Sequence, residues 1–70
     1  MRSTIMTLDE FEKLNINKRV RMWKIDSIKG FYQVFGHVTK IDKKLRELQI
    51  LFDGDEKPKK LGYTRLHVVD

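Results

Sequence analysis

Cysteine is absent from the sequence. That excludes disulfides, thiolate nucleophiles and thiolate metal ligands, and it suits a reducing cytoplasm. Long apolar runs are also missing. None approaches the roughly 20 residues that a membrane-spanning helix needs. The opening MRSTIMTLDE has no apolar segment of the signal-peptide kind. A soluble, cytoplasmic protein is the expectation, with no membrane partner. Histidine occurs only twice and no nucleophile motif is present, so no enzymatic activity is expected. His37 and His67 fall on different predicted strands and are too few for a zinc site; exposed or hydrogen-bonded strand positions are expected for both. Asp53 and Asp55 have the D-x-D opening of a calcium loop. The glycine falls between them and the later ligands are missing, so an acidic hairpin loop is expected. No metal or cofactor is expected. No repeat or low-complexity tract interrupts the chain.

What is present is charge and a clear pattern. The 15 basic and 10 acidic residues leave a formal charge of +5. That attracts polyanions at long range, although many small domains carry such charge for solubility alone. The length of 70 residues fits one domain with a thin core and a net stability of only about a few kcal/mol.

Residues 1 to 6 are expected to form a loose tail, and residues 7 to 70 one small domain. Thr7 and Glu10 have the T-x-x-E spacing of a capping box, flanked by Met6 and Phe11 at the spacing of a hydrophobic staple. Leu8, Phe11 and Leu14 form an apolar stripe, so a short helix is predicted over residues 8 to 14. It must dock that stripe to be stable. From Lys18 the period becomes two. A first strand is predicted over 18 to 26, with Val20 and Met22 on one face and Arg19, Arg21, Trp23 and Ile25 on the other. A turn follows at 27 to 30, where Gly30 can take positive φ. A second strand is predicted over 31 to 41, a turn at 42 to 44, and a third strand over 45 to 52. There Leu48, Ile50 and Phe52 alternate with Glu47, Gln49 and Leu51. The polar run DGDEKPKK, with the only proline, is predicted as a loop, and LGYTRLHVVD as an apolar strand segment. Its three-residue step from Tyr63 to Leu66 matches a single 3₁₀ turn.

The fold class is therefore mainly β with one short N-terminal helix. About four strands form a small curled antiparallel sheet or barrel, which removes sheet edges. Gly36, in the middle of the second strand, fits this plan. Val38 and Ile41 are spaced by three, so a bulge or bend is expected between Gly36 and Lys40. The other reading of Gly36 is a position crossed by a large neighbouring side chain.

The densest basic cluster is Lys18, Arg19, Arg21 and Lys24. Arg19, Arg21 and Trp23 share a strand face, and Tyr32 and Phe35 extend it with aromatic rings. Guanidinium groups pair with phosphates and aromatic faces stack on unpaired bases, so these seven residues are the candidate nucleic-acid contacts. A chain with one tryptophan is expected to spend it in the core, with arginine stems covering apolar surface. Further basic groups are Lys57, Lys59, Lys60 and Arg65, and Lys43, Lys44 and Arg46. They strengthen the nucleic-acid reading if they converge with the first strand.

The pattern over residues 8 to 69 resembles the YolD-like proteins of Gram-positive bacteria and their phages. Gly36, Val38, Ile41 and Asp42 match that family's G-x-I-x-x-I-D strand. Leu61, Tyr63, Leu66 and Val69 match its closing I-x-F-x-x-I-x-x-I segment. The family's tryptophan-proline-phenylalanine cluster has no counterpart in these residues. The resemblance implies an Sm-like or SH3-like small barrel and an accessory role in DNA-damage responses beside Y-family polymerases. It carries over no catalytic residue.

Two functions follow as expectations. One is a protein-interaction module docking on a DNA polymerase or repair enzyme through exposed apolar residues such as Phe31, Phe35 or Leu51, with a homo-oligomer compatible. The other is direct nucleic-acid binding through the basic and aromatic strand surface.

Overall fold

The computed structural model describes residues 5–69. Helix α1, Leu8–Glu12, precedes five strands: β1 (Arg19–Asp26), β2 (Gly30–Asp42), β3 (Glu47–Phe52), β4 (Lys59–Gly62) and β5 (His67–Val68). A 3₁₀ turn, Tyr63–Arg65, sits between β4 and β5. The fold is mainly β with one short helix, as the pattern predicts. The strands form one antiparallel sheet in the order β4-β3-β2-β1-β5, and that sheet does not close into a barrel.

The capping box forms as its spacing requires. The Thr7 amide donates to Glu10 Oε1 at 3.0 Å, and the Glu10 amide donates to Thr7 Oγ1 at 3.1 Å. The helix stops two residues short of its predicted end, and of its stripe only Phe11 is fully buried. Leu14 packs against the core from its rim, whereas Leu8 is exposed. Phe11 stacks on Tyr63 with ring centroids 5.0 Å apart, which ties the helix to the 3₁₀ turn. The predicted tail needs a correction at Met6. This side chain is buried, and its amide donates to the Leu66 carbonyl at 2.7 Å. Residues 1–4 of that tail lie outside the described residues.

The core comprises Met6, Phe11, Val20, Met22, Val38, Leu48, Ile50, Phe52 and Leu66. Val20 and Met22 lie on one face of β1 and the alternating set of β3 on the facing side, both as period two dictates. The turns set the strand ends. The Asp26 carboxylate accepts from the amides of Ile28 and Lys29 at 2.7 and 3.0 Å, and Gly30 takes φ of 75°. The second turn is longer than predicted. Asp42 Oδ1 accepts from the Leu45 amide and Arg46 takes φ of 55°, so β3 starts at Glu47 rather than Leu45. β4 claims Lys59 and Lys60 from the predicted loop by pairing with Ile50 and Gln49.

β2 is the axis of the sheet. Its first part pairs with β1, from Gly30 opposite Asp26 to His37 opposite Arg19. Its second part pairs with β3, from Gly36 opposite Phe52 to Asp42 opposite Glu47. The two ladders share only Gly36 and His37. The register shifts between Val38 and Lys40, which places the expected bulge at Thr39. The Thr39 hydroxyl is bonded to the Gln49 carbonyl at 3.0 Å. Gly36 itself answers to a close approach. A Cβ there would lie 2.6 Å from the Leu51 carbonyl oxygen, 2.9 Å from Phe52 Cα and 2.9 Å from Ile50 Cγ2. The crossing neighbour is therefore mostly backbone, not a large side chain.

Candidate functional site

The ladders leave part of the β1–β2 hairpin unsupported. β5 reaches only Val20 and Arg21, and β3 reaches only to Gly36. Beyond those pairs, Met22–Asp26 and Gly30–Phe35 form a two-stranded ribbon that extends past the rest of the sheet.

The outer face of this ribbon follows from the register. Directly opposed pairs share a face. These are Arg19 with His37, Arg21 with Phe35, Trp23 with Gln33, and Ile25 with Phe31. The face is basic and aromatic at its base and apolar at its tip. Trp23 is 49% exposed, Ile25 75%, Phe31 72%, and Ile28 in the turn 93%. Trp23 is thus not a core residue. The core lies against the opposite face of β1, that of Val20 and Met22, so the indole stands on the surface. Four large apolar side chains gathered at one end of a small chain are an unusual exposure.

The seven candidate contact residues divide by position. Arg19, Arg21, Trp23 and Phe35 share the outer face; Lys24 and Tyr32 oppose each other on the reverse face. Lys18 precedes β1, at an open depression of about 250 Å³ lined by Glu10, Lys13, Leu14, Asn15 and Val68. Arg19 has a prior commitment. Its guanidinium donates to both Asp53 carboxylate oxygens at 3.0 and 2.6 Å and lies over the Phe35 ring at 5.5 Å. Asp53 is held below the ordinary carboxylate range, first by the hydrogen bond from Arg19 and then by the charges of Arg19 and His37. Asp55, the other carboxylate of the D-x-D, pairs with Lys59 at 3.8 Å.

Of the remaining basic groups, Lys59, Lys60 and Lys43 do not gather around β1, whereas Arg65 ends the turn that leads into β5. Lys59 and Lys60 lie on β4, which β3 and β2 separate from β1 in the sheet order. Lys60 joins Gln49 and Lys40 in a row across β4, β3 and β2 on the outer face. Lys43 reaches back to Glu12 of the helix. His67 is buried opposite Arg21, not exposed. Of the apolar contacts expected from sequence, Phe31 is exposed, while Phe35 and Leu51 are half-buried. Ile25 and Ile28 complete the tip. Ile25 was legible as the continuation of the Trp23 alternation, whereas Ile28 in a turn carried no pattern.

Among the described residues no group of three or more metal-ligating side chains comes together, and no helix is long and apolar enough to cross a membrane. No family model, curated protein or solved structure matches this chain.

Proposed function

We propose that this chain is a non-catalytic binding module that docks a protein partner through the outer face of the β1–β2 ribbon. The observation that carries this reading is the cluster of Trp23, Ile25, Ile28 and Phe31, exposed together at one end of the molecule. Exposed aromatic and branched residues gathered on one face suit an interface, because each buries a large apolar area on contact.

The element order supports the kinship expected from sequence. A short helix, a five-stranded sheet and a 3₁₀ turn before the last strand suit an Sm-like or SH3-like fold of the YolD-like kind. On that footing the partner is a cytoplasmic DNA-repair enzyme, with a Y-family polymerase the first to try. A second reading, nucleic-acid binding, draws on Arg21 beside Phe35 and Trp23. It is weaker because the nearest arginine, Arg19, already holds Asp53.

The test is co-elution of the chain with purified Y-family polymerases, with a labelled single strand measured in parallel. Capture that survives raised salt and is lost in Trp23→Ser/Phe31→Ser supports protein docking. Single-strand binding that falls steeply with salt and is lost in Arg21→Glu replaces it with the nucleic-acid reading.

A further inference from the structure

The edge of β1 offers a more specific statement, which rests on the docking reading above. The Arg19 carbonyl accepts from the Val69 amide on the β5 side at 3.2 Å. The Lys18 carbonyl accepts from the Val38 amide on the β2 side at 3.0 Å. Backbone groups alternate sides along a strand. Hence Trp23 and Ile25 turn their amides and carbonyls away from β2, towards the side where β5 has already ended. Among the described residues no strand pairs with Met22–Asp26 on that side. The result is an unpaired edge of about 17 Å, at roughly 3.4 Å per residue, in line with β5 and bordered by the exposed apolar face.

Natural sheets usually blunt such edges, since they template pairing with other chains. Two charges face the edge from the reverse side, Lys24 and Asp26. The Asp26 carboxylate is bonded to the turn amides of Ile28 and Lys29, whereas Lys24 forms no ion pair among the described residues. A second copy is a poor occupant. Two such edges paired antiparallel across the whole span would set Lys24 against the Lys24 of the second copy, and directly opposed like charges destabilise a ladder. Shifting the register by two sets Lys24 against Asp26 of the second copy, but it leaves only about three residues of overlap, too short a ladder to hold two copies together. An acidic residue opposite Lys24 removes the conflict.

We infer that the β1 edge over Met22–Asp26 receives an extended segment of a partner protein as an added antiparallel strand, reading apolar, acidic, apolar opposite Trp23, Lys24 and Ile25. Main-chain hydrogen bonds to Trp23 and Ile25 hold the segment. Its apolar residues extend the outer face, and its carboxylate meets the Lys24 ammonium. This is strand addition, in which backbone bonds provide affinity and alternate side chains provide selectivity.

The experiment uses the whole chain. A randomised ten-residue display library is selected on it, and the winners are synthesised with and without N-methyl groups at successive amides. Affinity and amide hydrogen exchange are then measured. The expected winners carry the apolar–acidic–apolar pattern and slow exchange at the Trp23 and Ile25 amides. Removing one edge hydrogen bond weakens binding about tenfold or more, either by N-methylation of the facing peptide amide or by Ile25→Pro. That proline removes an outward amide and leaves the β2 ladder intact; circular dichroism checks its fold. Lys24→Glu shifts the preferred central residue from acidic to basic.

Winners with helical spacing, an absence of winners, protection at other amides, or a chain that sediments as a dimer through this edge would each overturn strand addition. If N-methylation and Ile25→Pro leave affinity unchanged while Trp23→Ser/Phe31→Ser abolishes it, strand addition fails and docking on the face stands. If neither set of changes alters peptide binding, the ribbon is not the binding surface and both readings fail together.

Discussion

Arg19 grips Asp53 in a two-pronged pair, Nη1 to Oδ1 at 3.0 Å and Nη2 to Oδ2 at 2.6 Å, and so joins the base of β1 to the end of β3. The bond lowers the Asp53 pKa and raises that of Arg19. Asp26 is lowered as well, by the amides of Lys29 and then Ile28. A carboxylate with a depressed folded pKa contributes stability above its unfolded value, near pH 3.9, and loses it as pH falls through the folded value. The denaturation midpoint of the parent should therefore exceed that of Asp53→Asn at neutral pH, and the gap should close below about pH 4. A gap that persists in acid would show that the pair contributes through shape and not through charge.

Gly36→Ala should destabilise the chain by about 1–3 kcal/mol, the usual cost of forcing atoms into a filled space. The added methyl meets β3 backbone, which cannot swing aside as a side chain end can. Gly62→Ala is the control. Gly62 sits at φ −68° and has no atom closer than 4.0 Å to a built Cβ. Its unfolding free energy from urea titration should change by no more than about 0.5 kcal/mol. Equal effects at the two positions would remove the steric account of Gly36.

Phe11→Ala should cost about 3–5 kcal/mol. That matches or exceeds the whole stability expected for so small a core, so the variant should be largely unfolded by circular dichroism. Leu8→Ala, on the same helix but exposed, should shift stability by no more than about 0.5 kcal/mol. A fully folded Phe11→Ala would mean that the helix is an ornament of the sheet and not its cover.

Trp23 reports on its own surroundings, being the only tryptophan in the chain. A half-exposed indole emits close to its denatured wavelength, so the folded spectrum should be red and acrylamide should quench it readily. Trp23→Ser should leave the unfolding free energy within about 0.5 kcal/mol of the parent. A blue emission that reddens sharply on unfolding would place the ring in the core.

Period two separated Val20 and Met22 from Trp23 and Ile25 on β1, and it separated Leu48, Ile50 and Phe52 from their neighbours on β3. The capping box, the Gly30 turn, the bulge beside Val38 and the 3₁₀ turn were also legible, because each is a local geometry with its own residue signature. The fate of Trp23 was not. Both faces of β1 carry apolar residues, and which is covered depends on the side to which the helix and the sheet bring the core. β5 is only two residues long, and nothing in its composition says so. Met6 is another such case, since its backbone partner, Leu66, lies at the far end of the chain. The candidate site was half visible: Arg19, Arg21, Trp23 and Phe35 do share a face, but Lys24 and Tyr32 take the other.

The brevity of β5 also has a bearing on time. It joins Val20 to Val68, far apart along the chain, whereas the β1–β2 and β2–β3 ladders close over short turns. Distant contacts carry the larger entropy of loop closure and form late. The two hairpins should therefore assemble first, and the last strand should dock on a sheet already in place. Val68→Ala should hasten unfolding and leave the refolding rate nearly unchanged in stopped-flow measurements. The end of the molecule that arrives last is then also the first to let go.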